Sequence, residues 1–170
     1  MVTLRLRRWT VDDIDLLRAA NTAEMTRHLN GPESEEQLEE RNLRYLRLME
    51  SGEARVFAVV HEDDRALGSI GYWRLDWRGE SALETGWFVR PEAQRQGVAS
   101  AALTMLIDDA RLHRGERRYL TAFPSVENAA SNAVCRTSGL TLRGTVTEQF
   151  RGAPLTVNEW ALDLAAENGR

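Results

Sequence analysis

The sequence predicts a mixed α/β domain of the α+β type, with a mostly antiparallel sheet of about seven strands flanked by four helices. Three observations predict it. Seven stretches rich in Val, Phe, Trp and Leu, alternating or bounded by turn residues, read as strands. Four stretches carry helix start or stop signals or a helical apolar period. Their order is β-α-α-β-β-β-α-β-α-β-β. Short turns join the middle strands and imply antiparallel pairing. A helix crosses from the fourth strand to the fifth, which implies a parallel pair there.

Each element has its own justification. "TLRLRRW" (3–9) alternates as a strand. "TVDDIDLLRAAN" (10–21) is a helix with Thr10 as N-cap and Asp13 completing an acidic capping box. "PESEEQLEERNLRYLRLMES" (32–51) is a second helix, with Pro32 near its start and Gly52 past its end. "ARVFAVVH" (54–61), "ALGSIGYWRLDW" (66–77) and "ALETGWFV" (82–89) are strands separated by "EDDR" and "RGES". A helix over 95–114 buries Ala99, Leu103, Leu106, Ile107 and Ala110 on one face. "RRYLTAF" (117–123) is a short strand, and "NAASNAVCRTSG" (128–139) a helix with Asn128 as N-cap and Gly139 past its end. Strands 140–150 and 155–164 close the chain, and the tail "AAENGR" is expected to fray.

Composition sets bounds. A chain of 170 residues suits one domain, 1–170, with one core. The 28% charged residues fit an ordinary globular protein, and no apolar run reaches the ~18 residues of a membrane helix. The N-terminus alternates apolar and basic residues and reads as a strand, not a signal peptide. A lone cysteine, Cys135, forms no internal disulfide, so a reducing cytoplasm is expected. A net charge of -4 gives no support to nucleic-acid binding. His28, His61 and His113 are scattered without metal-ligand spacing, so no metal is expected.

The stretch "PEAQRQGVAS" (91–100) joins a strand to a helix. Pro91 holds Arg90 extended. The first N–H groups of the helix lack intrahelical partners and form the positive end of the helix dipole. Gly97 allows a ligand close to the backbone. Such a turn suits a phosphate or pyrophosphate; the alternative is a helix start that meets only water. Gln94-Arg95-Gln96-Gly97-Val98-Ala99 matches Q/R-x-x-G-x-G/A. With "ENAASNAVCRTSGL" downstream (Asn128, Ser131, Gly139-Leu140), the sequence resembles the GNAT N-acetyltransferases, most closely their RimJ/RimL branch, over nearly the whole chain.

The resemblance implies a fold, a cosubstrate and roles. The fourth strand would carry a bulge and splay from its parallel neighbour to form the acetyl-CoA cleft. Backbone groups of Trp87, Phe88 and Val89 would pair with the pantetheine arm. The turn from Gln94 through Arg95, Gln96, Gly97, Val98 and Ala99 to Ser100 would hold the pyrophosphate through backbone N–H groups. Asn128 and Ser131 would meet the pantetheine or acetyl end.

Acetyl transfer to an amine needs a base for the amine, a donor for the thioester oxygen and a proton for the departing thiolate. The resemblance makes the Val89 N–H the oxygen's donor. Glu84 is the leading base, sharing a face with Gly86 and Phe88. A carboxylate of ordinary pKa, about 4.3, is weak for an amine, so a water relay or a raised pKa is expected. A strand-edge Glu facing solvent is the competing reading. Many family members place a Tyr seven residues after the Asn; here that position is Cys135. Ser131 and Cys135 lie one helical turn apart, and either could protonate the thiolate. A lone helical cysteine is more often a small buried hydrophobe, so Ser131 is preferred and direct transfer is expected over an acetyl-cysteine relay.

The acceptor is expected to be a primary amine, a protein N-terminal α-amine by the RimJ/RimL likeness. A small amine and a non-catalytic acyl-CoA-binding module are the rivals. The acidic "PESEEQLEE", with Glu33, Glu35, Glu36, Glu39 and Glu40, would attract a cationic acceptor or be a solvated helix face. Trp73 and Trp77 would line the acceptor pocket, fill core, or make contacts in a homodimer. No membrane contact is expected.

Overall fold

The computed structural model describes residues 3–166. Strands β1 (Leu4–Arg8), β2 (Ala54–His61), β3 (Ala66–Trp77), β4 (Glu80–Val89), β5 (Tyr119–Ala122), β6 (Thr141–Phe150) and β7 (Ala153–Asp163) form one sheet in the order β1-β2-β3-β4-β5-β7-β6. All pairs are antiparallel except β4 and β5. Four helices flank it: α1 (Ile14–Ala20), α2 (Glu35–Glu50), α3 (Val98–His113) and α4 (Ala129–Thr137). Helices α3 and α4 cover one face, where Leu103, Leu106 and Cys135 pack with Ile70, Leu83 and Trp160. Helices α1 and α2 cover the other, where Leu17 and Leu38 pack on Val56, Ala58 and Val60. Among the described residues, no helix is long and apolar enough to cross a membrane.

Element order follows the sequence pattern, and the boundaries shift for local reasons. Val11–Asp13 form a 3-10 turn before α1, and the Asp13 carboxylate accepts from the Thr10 N–H at 2.7 Å. Helix α2 starts at Glu35, later than Pro32 suggests. Ser34 caps it, exchanging bonds with Gln37: Ser34 N–H to Oε1 at 2.8 Å and Gln37 N–H to Oγ at 3.2 Å. In α3 the buried stripe takes in Val98 and Ala102, and Ala99 is only half-buried. Strand β7 begins two residues earlier than expected, because Arg151 and Gly152, at φ 51° and 80°, close a two-residue hairpin with β6. Of the tail expected to fray, residues 167–170 lie outside the described residues.

The sheet opens between β4 and β5. Their parallel register spans only Leu83↔Leu120, Glu84↔Thr121 and Thr85↔Ala122. Strand β4 continues along β3 as far as Val89↔Gly68 with no shift in register, so the β-bulge expected of β4 is absent from this pairing. The chain after β5 leaves instead. Asn158 donates to Pro124 O at 2.9 Å, Val126 N–H to Thr156 O at 3.0 Å, and Ser125 bridges Val157. Segment 123–126 thus follows β7, and the two parallel strands diverge into a V.

Candidate active site

The open edge of β4 presents its backbone to the V. Arg90 N–H bonds Leu67 O on β3 at 2.8 Å, and strand alternation then turns the N–H groups of Val89 and Trp87 away from β3, toward the gap. The Val89 carbonyl accepts from the Gln94 side chain at 3.0 Å. Strand β3 approaches this edge without room to spare: a Cβ on Gly68 would fall 2.2 Å from Phe88 O.

Beyond Val89 the chain makes a 3-10 turn over Pro91–Ala93 and enters α3 through two left-handed residues, Arg95 (φ 62°) and Gly97 (φ 77°). Ala101 N–H to Gly97 O, at 3.0 Å, is the first intrahelical bond, so the N–H groups of Val98, Ala99 and Ser100 are left for another partner. Apart from its own chain neighbours, no described heavy atom lies within 4 Å of a Cβ built on Gly97. A non-glycine residue held left-handed costs about 1–3 kcal/mol, and alternating conformations of this kind fan N–H groups into an anion-binding concavity. The Gln96 side chain binds Glu92 O at 3.1 Å. Gln94 and Gln96 therefore shape the turn by binding its own backbone carbonyls.

A cavity of about 590 Å³ runs through the V. Glu84 lies on its wall with Gly86 and Phe88, on one face as alternation requires. Trp73, the cross-strand partner of Glu84, donates its indole N–H to Oε2 at 3.1 Å. Burial pushes the Glu84 carboxyl above the ordinary range; the Trp73 bond opposes the shift and nearby Glu148 adds to it. Asn128 and Ser131 also line the cavity. Asn128 Oδ1 accepts from the Ser131 N–H at 3.1 Å, so it is a true N-cap.

The sequence model of the acetyltransferase (GNAT) domain matches residues 3–141, most of the chain. The chain belongs to the GNAT acetyltransferase family. Comparison with curated proteins gives no match. Solved structures share the fold. RimL, a ribosomal L7/L12 α-N-protein acetyltransferase in complex with coenzyme A, is 22% identical with a TM-score of 0.79, over 97% of this chain and 96% of that one. A spermidine N-acetyltransferase from Vibrio cholerae, in complex with CoA and spermine, is 17% identical with a TM-score of 0.77, over 95% and 96%. The acetyltransferase yncA from Salmonella typhimurium, described as putative and bound to acetyl-CoA, is 20% identical with a TM-score of 0.74, over 98% and 96%.

Within this GNAT domain the remaining expected residues separate. Cys135, one turn from Ser131, is fully buried in the core beneath α4 and is not part of the cavity wall. Burial pushes its thiol up to about 12. Trp73 lines the cavity, whereas Trp77 is buried in a separate cluster with Ala82 and Ala161, its indole N–H on Glu159 at 3.2 Å. Of the acidic stretch, Glu35, Glu36, Glu39 and Glu40 are exposed, and only Glu33 reaches the cavity.

Asn132 is a residue that sequence reasoning missed. Its amide donates to Ser125 O at 2.9 Å and Asn128 O at 2.8 Å; its carbonyl accepts from Asn158 at 2.9 Å and Trp160 Nε1 at 2.8 Å. It ties α4 to the segment that leaves β4. A polar residue four positions after an N-cap was the available signal.

Proposed function

We propose that the protein is an acetyl-CoA-dependent N-acetyltransferase that acetylates a primary amine, specifically an N-terminal α-amine of a protein or peptide, by direct transfer. The observation that carries the reading is Glu84: a carboxylate of raised proton affinity, held by Trp73 on the wall of the cleft beside the open β4 edge. RimL and the spermidine enzyme are both amine acetyltransferases, and that likeness supports amine chemistry.

The residues fit the cosubstrate. The left-handed turn and free first-turn N–H groups at 95–100 suit its pyrophosphate, and the free edge at Trp87 and Val89 suits the amides of its pantetheine arm. When bound, acetyl-CoA supplies an activated acyl carbon. Glu84 accepts the proton of the incoming ammonium, directly or through one water. The Val89 N–H, already aimed at the gap, stabilises the negative charge that develops on the acyl oxygen. Ser131, on the wall near Asn128, passes a proton to the sulfur as the C–S bond breaks and regains one from the nitrogen of the new N–C bond, which leaves a neutral amide and a CoA thiol. Cys135 takes no part, since a thiol buried in the core with a raised pKa is neither exposed nor ionised.

Steady-state CoA release over a panel of peptide N-terminal amines and free amines tests the reading. Release that depends on the amine is expected. Tight acetyl-CoA binding with no release for any amine would leave an acyl-CoA-binding module in its place.

A further inference from the structure

Helix α2 presents two faces of different charge. The exposed face carries the glutamates, while Arg41, Arg44, Tyr45 and Leu48, spaced i, i+3, i+4, i+7, line the cavity. The helix is locked in this rotation by buried Asn42, which accepts from Trp9 Nε1 at 2.8 Å and donates to Val11 O at 2.9 Å. Arg151 from the β6–β7 turn joins the same wall.

These cations outnumber their partners. Glu33 pairs with both Arg41 and Arg151, each at 2.8 Å. Arg41 Nε is buried with no hydrogen-bond partner among the described residues. Glu40, one turn before Arg44, is taken by Arg47 at 3.0 Å, and among the described residues no carboxylate pairs with Arg44. Arg41 and Arg151 thus share one carboxylate in the cavity wall, and Arg44 beside them pairs with none among the described residues. At the strand side of the same cavity stand Glu84 and Glu148. The cavity is acidic where the amine must enter and basic along α2.

Resting on the acetyltransferase reading above, we propose that the acceptor is an acidic peptide N-terminus, whose α-amine meets Glu84 and whose second or third side chain is a carboxylate held by Arg41 and Arg44. The spacing supports a peptide. Leu48, Trp73 and Phe88 pack on the same core cluster, and all three line the cavity together with Glu84. Arg44 and Arg41 lie about 6 and 10 Å back along the helix axis, at ~1.5 Å per residue. An extended peptide advances ~3.3–3.6 Å per residue, so its second and third residues lie roughly 3.5 and 7 Å from the first, and their side-chain carboxylates extend the reach to Arg44 and Arg41. The α-carboxylate of a free amino acid would instead sit beside Glu84 and repel it. Guanidinium and carboxylate match in fork geometry, so the selection is for a carboxylate and not for bulk alone.

The test uses peptides identical except at residues two and three, which are both Glu, both Gln or both Lys, with free aspartate and spermidine as further acceptors. CoA release gives kcat/KM, and anisotropy of peptides labelled at the C-terminus gives binding without turnover. The Glu peptide should exceed the Gln peptide at least tenfold, mainly through KM, and the gap should narrow as salt rises. Arg44→Glu, at an exposed position, should make the Lys peptide the best. Equal rates and binding for the three peptides, better turnover of spermidine or free aspartate, or an unchanged order in Arg44→Glu would overturn the proposal. Selective binding of the Glu peptide with no turnover would uphold the acidic site while removing the acetyltransferase reading.

Discussion

Truncating Asn132 to Ala tests how the cleft is held open. In the folded protein all four hydrogen-bonding positions of its amide are used. The partners lose unequally. Ser125 O keeps the Asn128 N–H at 3.0 Å, and Asn128 O keeps the residue-132 N–H at 3.1 Å. Trp160, only 3% exposed, loses the Asn132 carbonyl that accepts from its indole N–H. Asn158 is half-buried and can turn toward water. An orphaned buried donor costs about 1–3 kcal/mol, and a half-buried one about 1 kcal/mol or less. With the small void left by the amide, Asn132→Ala should lose about 3 kcal/mol in urea unfolding followed by tryptophan fluorescence. Asn158→Ala, which removes only the half-buried member, should lose about 1 kcal/mol. Freed from α4, segment 123–126 should hold the cleft less firmly, and KM for acetyl-CoA should rise. A loss of under about 1 kcal/mol for Asn132→Ala, or equal losses for the two variants, would show that the network does not anchor this segment.

Four further outcomes are expected. Glu84→Gln should lower kcat/KM by about 10²-fold at neutral pH. It should also raise stability there, because a carboxyl whose pKa is raised on folding stabilises below about pH 4.3 and loses that contribution as pH rises through its folded value; an unaltered pH–rate profile would leave Glu84 a purely structural role. Gly97→Glu should weaken acetyl-CoA binding at least about tenfold by calorimetry, and more than Gly97→Ala, which shares the left-handed strain but adds no charge. Cys135→Ala should keep most activity, and intact-protein mass spectrometry with acetyl-CoA alone should show no acetyl adduct at Cys135. For Asp109, burial pushes the carboxyl up, but bonds from Arg55 and Tyr72 more than offset this and hold it below the usual range. Its contribution is present above about pH 3.9 and lost as pH falls through the folded value, so Asp109→Asn should differ from the parent in urea midpoint far more at pH 7 than in acid.

Short-range chemistry was legible in the sequence. Period-2 and helical patterns determined the element order, since side-chain direction repeats with the local backbone. Glycine and the free N–H groups of a helix start marked 95–100 before any fold was known, because a left-handed turn needs no distant partner. Alternation alone put Glu84, Gly86 and Phe88 on one face.

Only tertiary structure decided the rest. The V exists because β5 pairs with both β4 and β7 but segment 123–126 keeps only β7, and the sequence of β5 carries no sign of which neighbour it will keep. Insertion of β7 between β5 and β6 is likewise a choice among non-local pairings. Of the two readings of the acidic stretch, the solvated face holds for Glu35, Glu36, Glu39 and Glu40, and what turns Arg41 and Arg44 to the cavity instead is the anchor of Asn42 against Trp9, 33 residues away. Ser131 and Cys135 share a face by spacing, yet one lines the cavity and the other is sealed in the core. Depth along a helix face depends on what packs above it, and that is supplied by strands far off in the chain.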